Sequence, residues 1–176
     1  MNARDREQFE DFMTSRWPGL VRLAFGLTGD RWLAEDLAQT ALASAYASWS
    51  RVRRADDPDA YVHRILINAS KSRLRRRRVR EQPAATAPEA AVSDPTASVD
   101  ERSVLLSALQ ELPPRQRAVV VLRYLEDLTD AQTAALLGCS ASTVRSQAAR
   151  ALAKLRASGG LDPDGSAPHR PAGGTQ

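Results

Sequence analysis

The chain has 176 residues and a net charge of +4, with 43% hydrophobic and only 5% aromatic residues. This apolar content excludes a wholly disordered chain, and the scarcity of aromatic residues argues against a dense all-β core. The single cysteine, Cys139, cannot form an internal disulfide, which favours a reducing cytoplasm. The charged N-terminus lacks the apolar run of a signal peptide, and no segment approaches the ~20 apolar residues of a membrane span. We therefore expect a cytoplasmic protein without a membrane span.

Charge and composition divide the chain into four parts. Residues 1–80 hold 16 basic and 10 acidic side chains, and residues 102–157 hold eight basic and four acidic ones. Between them, residues 81–101 hold five acidic side chains and no basic one, and are rich in Pro, Ala and small polar residues. We expect this segment to be a flexible linker and the similar tail, 158–176, to be disordered. The sequence thus predicts two small domains.

The first domain is predicted to be a bundle of three or four helices. Pro18 disfavours helical geometry at Trp17, so an early helix is expected to be interrupted there. A second helix is expected where apolar residues recur at three- and four-residue steps. These residues are Ala34, Leu37, Ala38, Ala41, Leu42, Ala45, Tyr46 and Trp49. A further helix should begin near Asp57-Pro58-Asp59, with a capping carboxylate and a proline in its first turn.

The second domain is also predicted to be helical, which makes the whole chain all-α. Apolar residues from Val104 to Leu112 form one helix that Pro113-Pro114 ends, and Arg115 to Leu125 form another. Together with the first domain, this predicts two helical domains joined by a flexible linker.

The last part of the second domain has the pattern of a helix-turn-helix. Thr129 is expected to cap a short helix, Gly138 to permit the turn, and Ser140 or Ser142 to cap a second helix. This second helix keeps one apolar face, while polar and basic residues lie mainly elsewhere: Arg145, Ser146, Gln147, Arg150 and Lys154. A short helix, a tight turn and a helix with a basic exposed face are typical of DNA-binding domains.

Residues for catalysis are scarce. The chain has two histidines, His63 and His169, one cysteine, no glycine-rich phosphate loop and no ligand set with metal-binding spacing. We expect His63 to be a surface or packing residue, Cys139 to be a small packed side chain, and His169 to lie in the tail. The sequence therefore predicts neither an enzyme nor a site for a metal, cofactor or small-molecule substrate.

A cationic ridge is expected along the helix that begins near Pro58. Arg64, Asn68, Lys71 and Arg75 recur at three- or four-residue steps, away from the apolar face. Four more arginines follow: Arg76, Arg77, Arg78 and Arg80. Such a dense run without acidic residues favours binding to phosphates, because like charges repel in the absence of a polyanion. Tyr61 on the same helix offers a stacking surface.

In the helix-turn-helix, Arg145, Ser146 and Arg150 can reach base edges in the major groove, where arginine commonly pairs with guanine. The acidic face of the long helix, with Glu35, Asp36 and Gln39, is unusual for a DNA-binding chain. Composition alone leaves open whether this face is simply solvated or binds a partner.

Three segments together resemble the extracytoplasmic-function (ECF) class of the sigma-70 family, which directs bacterial RNA polymerase to promoters. AEDLAQTALASAYASW, residues 34–49, resembles the helix that binds core polymerase. DPDAYVHRILINASKSRLRRRR, residues 57–78, resembles the helix that reads the −10 element. Residues 109–156 resemble the −35-binding domain nearly throughout. Thr40 and Leu42 replace a common acidic and aromatic pair, a variant typical of an actinobacterial, SigE-type subgroup.

The resemblance implies a role for each matching residue. The core-polymerase contacts, to the β′ clamp helices, would be Glu35, Asp36, Leu37 and Gln39. The −10 contacts would be Tyr61, Arg64, Asn68, Lys71 and Arg75, with the loop from Arg51 to Asp57 capturing a flipped base. The −35 contacts would be Thr143, Arg145, Ser146 and Arg150. The helices from Val104 to Leu125 would seat the β flap, and the acidic linker would thread toward the polymerase active site.

Two other classes of protein stay open at this point. A stand-alone helix-turn-helix regulator would explain the second domain but not the acidic helix or the arginine ridge, and would read two-fold sites as a dimer. A non-DNA adaptor acting through residues 34–49 would be insensitive to neutralisation of Arg145 and Arg150. Because the chain has no sensor domain, we expect a separate partner, such as an anti-sigma factor, to regulate it.

Overall fold

The computed structural model describes residues 3–80 and 101–158, and every regular element within these ranges is helical. The elements are α1 (Ala3–Thr28), α2 (Arg31–Ala47), α3 (Trp49–Val52), α4 (Pro58–Arg80), α5 (Glu101–Glu111), α6 (Pro114–Val120), a π-helical segment (Val121–Leu125), α7 (Asp130–Leu137) and α8 (Ala141–Ala157). The prediction of an all-α fold is confirmed. The predictions for the linker and the tail fall outside the described residues, apart from Glu101 and Ser158.

The predicted interruption at Trp17 is wrong, because α1 continues through Pro18. Proline leaves the carbonyl of Thr14 without its helical donor. Both Thr14 and Pro18 are exposed, so water can bond this carbonyl. Meanwhile the other face of α1 buries Phe9, Leu20, Leu23 and Leu27, and this tertiary packing keeps the helix continuous.

The apolar stripe predicted on α2 is buried, and it packs against α1 and α4. Six of its residues are buried: Ala34, Leu37, Ala38, Ala41, Leu42 and Ala45. The helix ends at Ala47, and Trp49 is buried in the separate short helix α3. Tyr46 departs from the prediction because it is 42% exposed, with its ring centroid 5.0 Å from that of Phe9 in an edge-to-face arrangement.

The predicted start of α4 is confirmed. Pro58 is its first residue, and the Asp57 carboxylate accepts a hydrogen bond from the Ala60 backbone N–H at 2.9 Å. Val62, Leu66 and Ile67 anchor the helix in the core. These contacts fix the position of α4 against α1 and α2.

The C-terminal domain also begins and ends its helices at the predicted signals. Thr129 and Gln132 form a reciprocal capping box, Gly138 adopts a left-handed φ of 70°, and Ser140 caps α8. The helix expected from Arg115 to Leu125 instead begins at Pro114 and changes to π-helical geometry after Val120.

The two domains share one hydrophobic core. Leu23 and Leu27 of α1 belong to the same cluster as Val121 and Leu122 of the π-helical segment and Leu136 of α7. The helix-turn-helix has its own smaller core, in which Val144 and Ala148 of α8 meet Val119 and Ala134. The described chain is therefore folded with its two domains in contact.

Candidate polymerase and promoter interface

The acidic face of α2 is exposed on a rigid helix. Asp30 caps the start of α2 by accepting a hydrogen bond from the Leu33 backbone N–H at 2.9 Å. Glu35 accepts a hydrogen bond from Arg31 at 3.1 Å, and Asp36 accepts one from Arg73 of α4 at 2.9 Å. Both carboxylates are therefore accessible and held by exchangeable surface ion pairs.

Leu37 departs from its expected role on this face. Its side chain is only 3% exposed and belongs to the hydrophobic core. Among the four residues predicted to contact core polymerase, Leu37 thus packs in the hydrophobic core, whereas Asp36 and Gln39 are exposed. The motif mixes the two faces because consecutive helical residues point about 100° apart.

Aromatic residues outside the motif extend this surface. Trp32 is 83% exposed and lies one helical turn before Asp36. A groove of about 560 Å³ runs between α1 and α2. Its lining residues are Phe9, Met13, Trp17, Glu35, Gln39, Leu42, Ala43 and Tyr46. The sequence analysis did not select Trp32 or Trp17 as surface residues of this region. The signal that could have found them is that each is a large aromatic residue at a helical position outside an apolar stripe.

The predicted ridge on α4 is exposed. Arg64, Asn68, Lys71 and Arg75 all face outward, and Tyr61 is half-buried. Two of these cations contact the C-terminal domain: Arg64 donates to the Ala135 carbonyl at 3.4 Å, and Lys71 donates to the Leu137 carbonyl at 3.2 Å. The structure thus brings the four residues together on one helix face.

The loop before α4 is short and anchored at its N-terminal end. Val52 is fully buried, and Arg53 pairs with Asp5 of α1 at 3.6 Å. Arg51 and Arg54 are exposed beside it. The loop therefore presents cations close to the start of α4.

The helix-turn-helix presents a polar face on α8. Thr143, Arg145, Ser146 and Arg150 are all exposed. Arg145 lies 3.6 Å from the Asp130 carboxylate, and the Ser146 hydroxyl donates to the Thr143 carbonyl at 3.0 Å. All four predicted residues are therefore accessible on α8.

His63 and Cys139 lie in different environments. His63 is half-buried, and burial lowers the pKa of its imidazole while the nearby Glu126, Asp59 and Asp57 carboxylates oppose this shift. Cys139 is exposed, so its expected packed position is wrong. It follows the left-handed Gly138 in the turn, where the chain leaves the core.

Within residues 3–80 and 101–158, no group of three or more His, Cys, Asp or Glu side chains could hold a metal ion. Nor does any helix in these two ranges have the length and apolar character needed to cross a membrane. The described surface is instead organised as an acidic and aromatic face on α2 and cationic or polar faces on α4 and α8.

Comparison with known families matches both domains. The family model "Sigma-70 region 2" matches residues 13–80, and "Sigma-70, region 4" matches residues 102–155. The chain is 42% identical to the RNA polymerase sigma-E factor of Streptomyces antibioticus, over 85% of this chain and 83% of the relative. It is 34% identical to the ECF RNA polymerase sigma factor SigM of Mycobacterium tuberculosis, over 87% of this chain and 78% of the relative.

The chain belongs to the sigma-70 family, in its ECF class. As a sigma factor it directs transcription initiation with core RNA polymerase at promoter DNA, which excludes the stand-alone regulator. The expected resemblance to SigE-type sigma factors is confirmed by the Streptomyces relatives. The matches to sigma-70 regions 2 and 4 likewise favour a sigma factor over the non-DNA adaptor.

Solved structures share the fold of this sigma factor. The sigma factor RpoE of Bartonella quintana, solved in complex with the anti-sigma factor NepR, superposes with a TM-score of 0.75 at 24% identity. The match covers 89% of this chain and 99% of that one. CnrH, solved with the cytosolic domain of CnrY, matches with a TM-score of 0.58 at 22% identity, over 86% of this chain and 87% of that one.

Proposed function

We propose that the two domains divide promoter recognition. Residues 1–80 bind core polymerase through α2 and read the −10 element through α4, and residues 102–157 read the −35 element through α8. The observation that carries this proposal is the exposure of all three polar faces on helices whose opposite faces are buried. Rigid helices hold such side chains in register for a long, shaped partner.

The polymerase contact is proposed to be the face of α2 with Trp32, Glu35, Asp36 and Gln39, against the β′ clamp helices. Its carboxylates favour a basic partner surface, and the exposed indole of Trp32 supplies apolar area of the kind that dominates interface energies. A second contact is proposed between the β flap and the helices from Val104 to Leu125. Val104 and Tyr124 are exposed there, at 41% and 54%.

The −10 contact is proposed to combine phosphate binding with base reading. Arg64, Lys71 and Arg75 would neutralise the backbone, while Asn68 can pair with a base edge through its amide. Tyr61 offers a ring on which an unpaired base can stack. The loop from Arg51 to Asp57 would hold a base flipped out of the melted strand, because only an unstacked base presents its pairing edge.

The −35 contact is proposed to be direct readout by α8 in the major groove. Arg145 and Arg150 can each donate two hydrogen bonds to a guanine, and Thr143 and Ser146 can bond bases or phosphates. Asp130 would release Arg145 on binding, since the two side chains are 3.6 Å apart and partly exposed. In this arrangement α7 positions α8 without entering the groove.

Regulation is proposed to come from a separate anti-sigma factor in the cytoplasm. Two structural neighbours were solved with partners of this kind or with a partner's cytosolic domain. The acidic linker is proposed to thread into a polymerase channel, where its carboxylates would mimic nucleic acid.

Run-off transcription tests the proposal. Sigma-free core polymerase from a related bacterium is combined with this protein and a pool of promoter fragments that includes the one upstream of its own gene. Initiation that needs both proteins supports the proposal, and the mapped start sites give the −10 and −35 elements. If this protein shifts duplex DNA by itself but never starts transcription with core polymerase, the proposal is wrong.

A further inference from the structure

A cleft of about 440 Å³ lies where α4 of the first domain meets the C-terminal domain. Its apolar lining includes Leu27, Ile67, Ala118 and Val119, none of which is more than 9% exposed. Sites for small molecules have volumes of about 300 to 1,000 Å³ and mostly apolar walls with a few polar groups. This interdomain cleft therefore has the size and the lining of a small-molecule site.

Three cations from two domains line the cleft. Lys71 and Arg75 belong to α4, and Arg115 belongs to the first turn of α6. None of the lining residues that the structure describes is acidic. Lys71 donates to the Leu137 carbonyl at 3.2 Å, which leaves two of its three donors. The guanidinium groups of Arg75 and Arg115 have no hydrogen bond or ion pair to any residue within 3–80 and 101–158.

These unneutralised cations favour an anionic ligand. Like charges that the fold brings to one cleft repel each other, and an anion between them turns this repulsion into attraction. Phosphate matches the group, because a guanidinium can donate to it through two parallel hydrogen bonds and a lysine can bind it as a point charge. Ser70 and Ser72, which are half-buried in the same cleft, offer two more donors.

The rest of the lining determines what the phosphate is attached to. The apolar residues are aliphatic, and no aromatic ring lines the described cleft on which a nucleobase could stack. A DNA duplex is also excluded by size, because its major groove alone is about 12 Å wide. The ligand should therefore be small and carry an aliphatic body beside its phosphate.

We propose that the interdomain cleft binds a small phosphate ester with an aliphatic body. Lys71, Arg75 and Arg115 hold the phosphate, and the lining from Leu27 to Val119 covers the aliphatic part. One consequence rests on the proposed function: Lys71 and Arg75 are also proposed −10 contacts, so the ester competes with promoter phosphates. The level of such a metabolite would then lower transcription without a protein partner.

The single cysteine reports whether a ligand occupies the cleft. Cys139 is exposed and lines it, so a bound ester should slow alkylation of this thiol. The probes are hexyl phosphate, inorganic phosphate and 1-hexanol, at constant ionic strength. Calorimetry gives each Kd for the full chain, and mass spectrometry gives the alkylation rate.

We expect hexyl phosphate to bind at least about tenfold more tightly than either fragment and to protect Cys139, because it uses the cations and the apolar lining together. Equal binding of inorganic phosphate would reduce the cleft to a simple anion site and overturn the proposal. Equal binding of 1-hexanol would remove the role of the cations and overturn it too. Binding that leaves the alkylation rate unchanged would place the ester elsewhere, with the same result.

Two exposed arginines of the C-terminal domain provide matched variants. Arg115 lines the cleft, whereas Arg156, in the last turn of α8, does not. Arg115→Ala should weaken the binding of hexyl phosphate about tenfold, through the loss of a charge-assisted contact, and Arg156→Ala should leave it unchanged. An equal loss in both variants would indicate general attraction to a basic chain and contradict the proposal.

The binding measurements use no polymerase, so the two proposals can fail separately. Run-off transcription that fails while hexyl phosphate binds and protects Cys139 would count against the proposed function. Normal transcription by a chain that does not bind the ester would count against the cleft alone.

Discussion

The guanidinium of Arg73 donates to the carboxylate of Asp36 at 2.9 Å and joins the proposed DNA-reading helix α4 to the proposed polymerase-binding helix α2. Both side chains are about half exposed. An exposed pair of this kind contributes at most about 1 kcal/mol to folding. Its residues can therefore be changed to test function without unfolding the protein.

Replacing Asp36 with Arg should abolish binding to core polymerase, because it reverses the charge of the proposed contact. The melting temperature should change little, since the side chain is exposed. Co-elution with core enzyme and circular dichroism measure the two effects. Arg73→Ala is the matched control: it breaks the same ion pair but leaves the carboxylate, so it should still co-elute. Unchanged co-elution of Asp36→Arg would contradict the assignment.

Trp32→Ala should weaken polymerase binding by about 2 kcal/mol, or roughly 30-fold in Kd, if the exposed indole is an interface anchor. Folding should be unaffected, because the side chain is 83% exposed. Trp32→Phe keeps an aromatic group and should retain most of the affinity. A titration of labelled core enzyme distinguishes the two variants, and equal affinity for Trp32→Ala and wild type would exclude Trp32 from the contact.

Arg145→Ala and Arg150→Ala should each weaken use of the −35 element by ~1 to 3 kcal/mol if the side chain reads a base. The measurement is transcription from the mapped promoter and from versions with single changes in the −35 element. A base-reading arginine loses discrimination at one position. An equal loss on every sequence would instead make that arginine a phosphate contact.

Pro18→Ala should stabilise the protein. The change restores a backbone N–H for the Thr14 carbonyl inside α1, where proline is about 3 kcal/mol less favourable than alanine. We expect a gain of about 1 to 3 kcal/mol in the free energy of unfolding, measured in urea. Pro114→Ala is the control, because Pro114 is the first residue of α6 and its missing N–H has no helical acceptor. A gain at neither position would show that α1 is held by its packing alone.

Acidification should destabilise the folded chain through His63. Burial lowers the pKa of this imidazole in the folded state, against the opposing carboxylates of Glu126, Asp59 and Asp57 and with a small contribution from Arg16 in the same direction. The unfolded chain then binds more protons, so the stabilising effect is present above the unfolded pKa of about 6.5 and is lost as pH falls below it. Melting temperatures at pH 7.5 and 5.5 measure this loss, which His63→Gln should reduce.

Local signals in the sequence determined most of the helical framework. Asp57 and Pro58 start α4, Thr129 caps α7, and Gly138 permits the turn to α8, each through backbone geometry that depends on neighbouring residues alone. The polar faces of α4 and α8 followed from helical periodicity. Periodicity also identified the buried face of α2, because a helix repeats every 3.6 residues whatever packs against it.

Where local sequence preferences compete with packing, tertiary structure determined the helix continuity and the side-chain burial. It kept α1 continuous through Pro18, buried Leu37 within a motif expected to face a partner, and left Trp32 and Cys139 exposed. It also set α7 against α4, with Arg64 and Lys71 bonded to carbonyls more than 60 residues away in sequence. No sequence periodicity encodes such a contact, because it depends on how the surfaces of two helices far apart in sequence fit together.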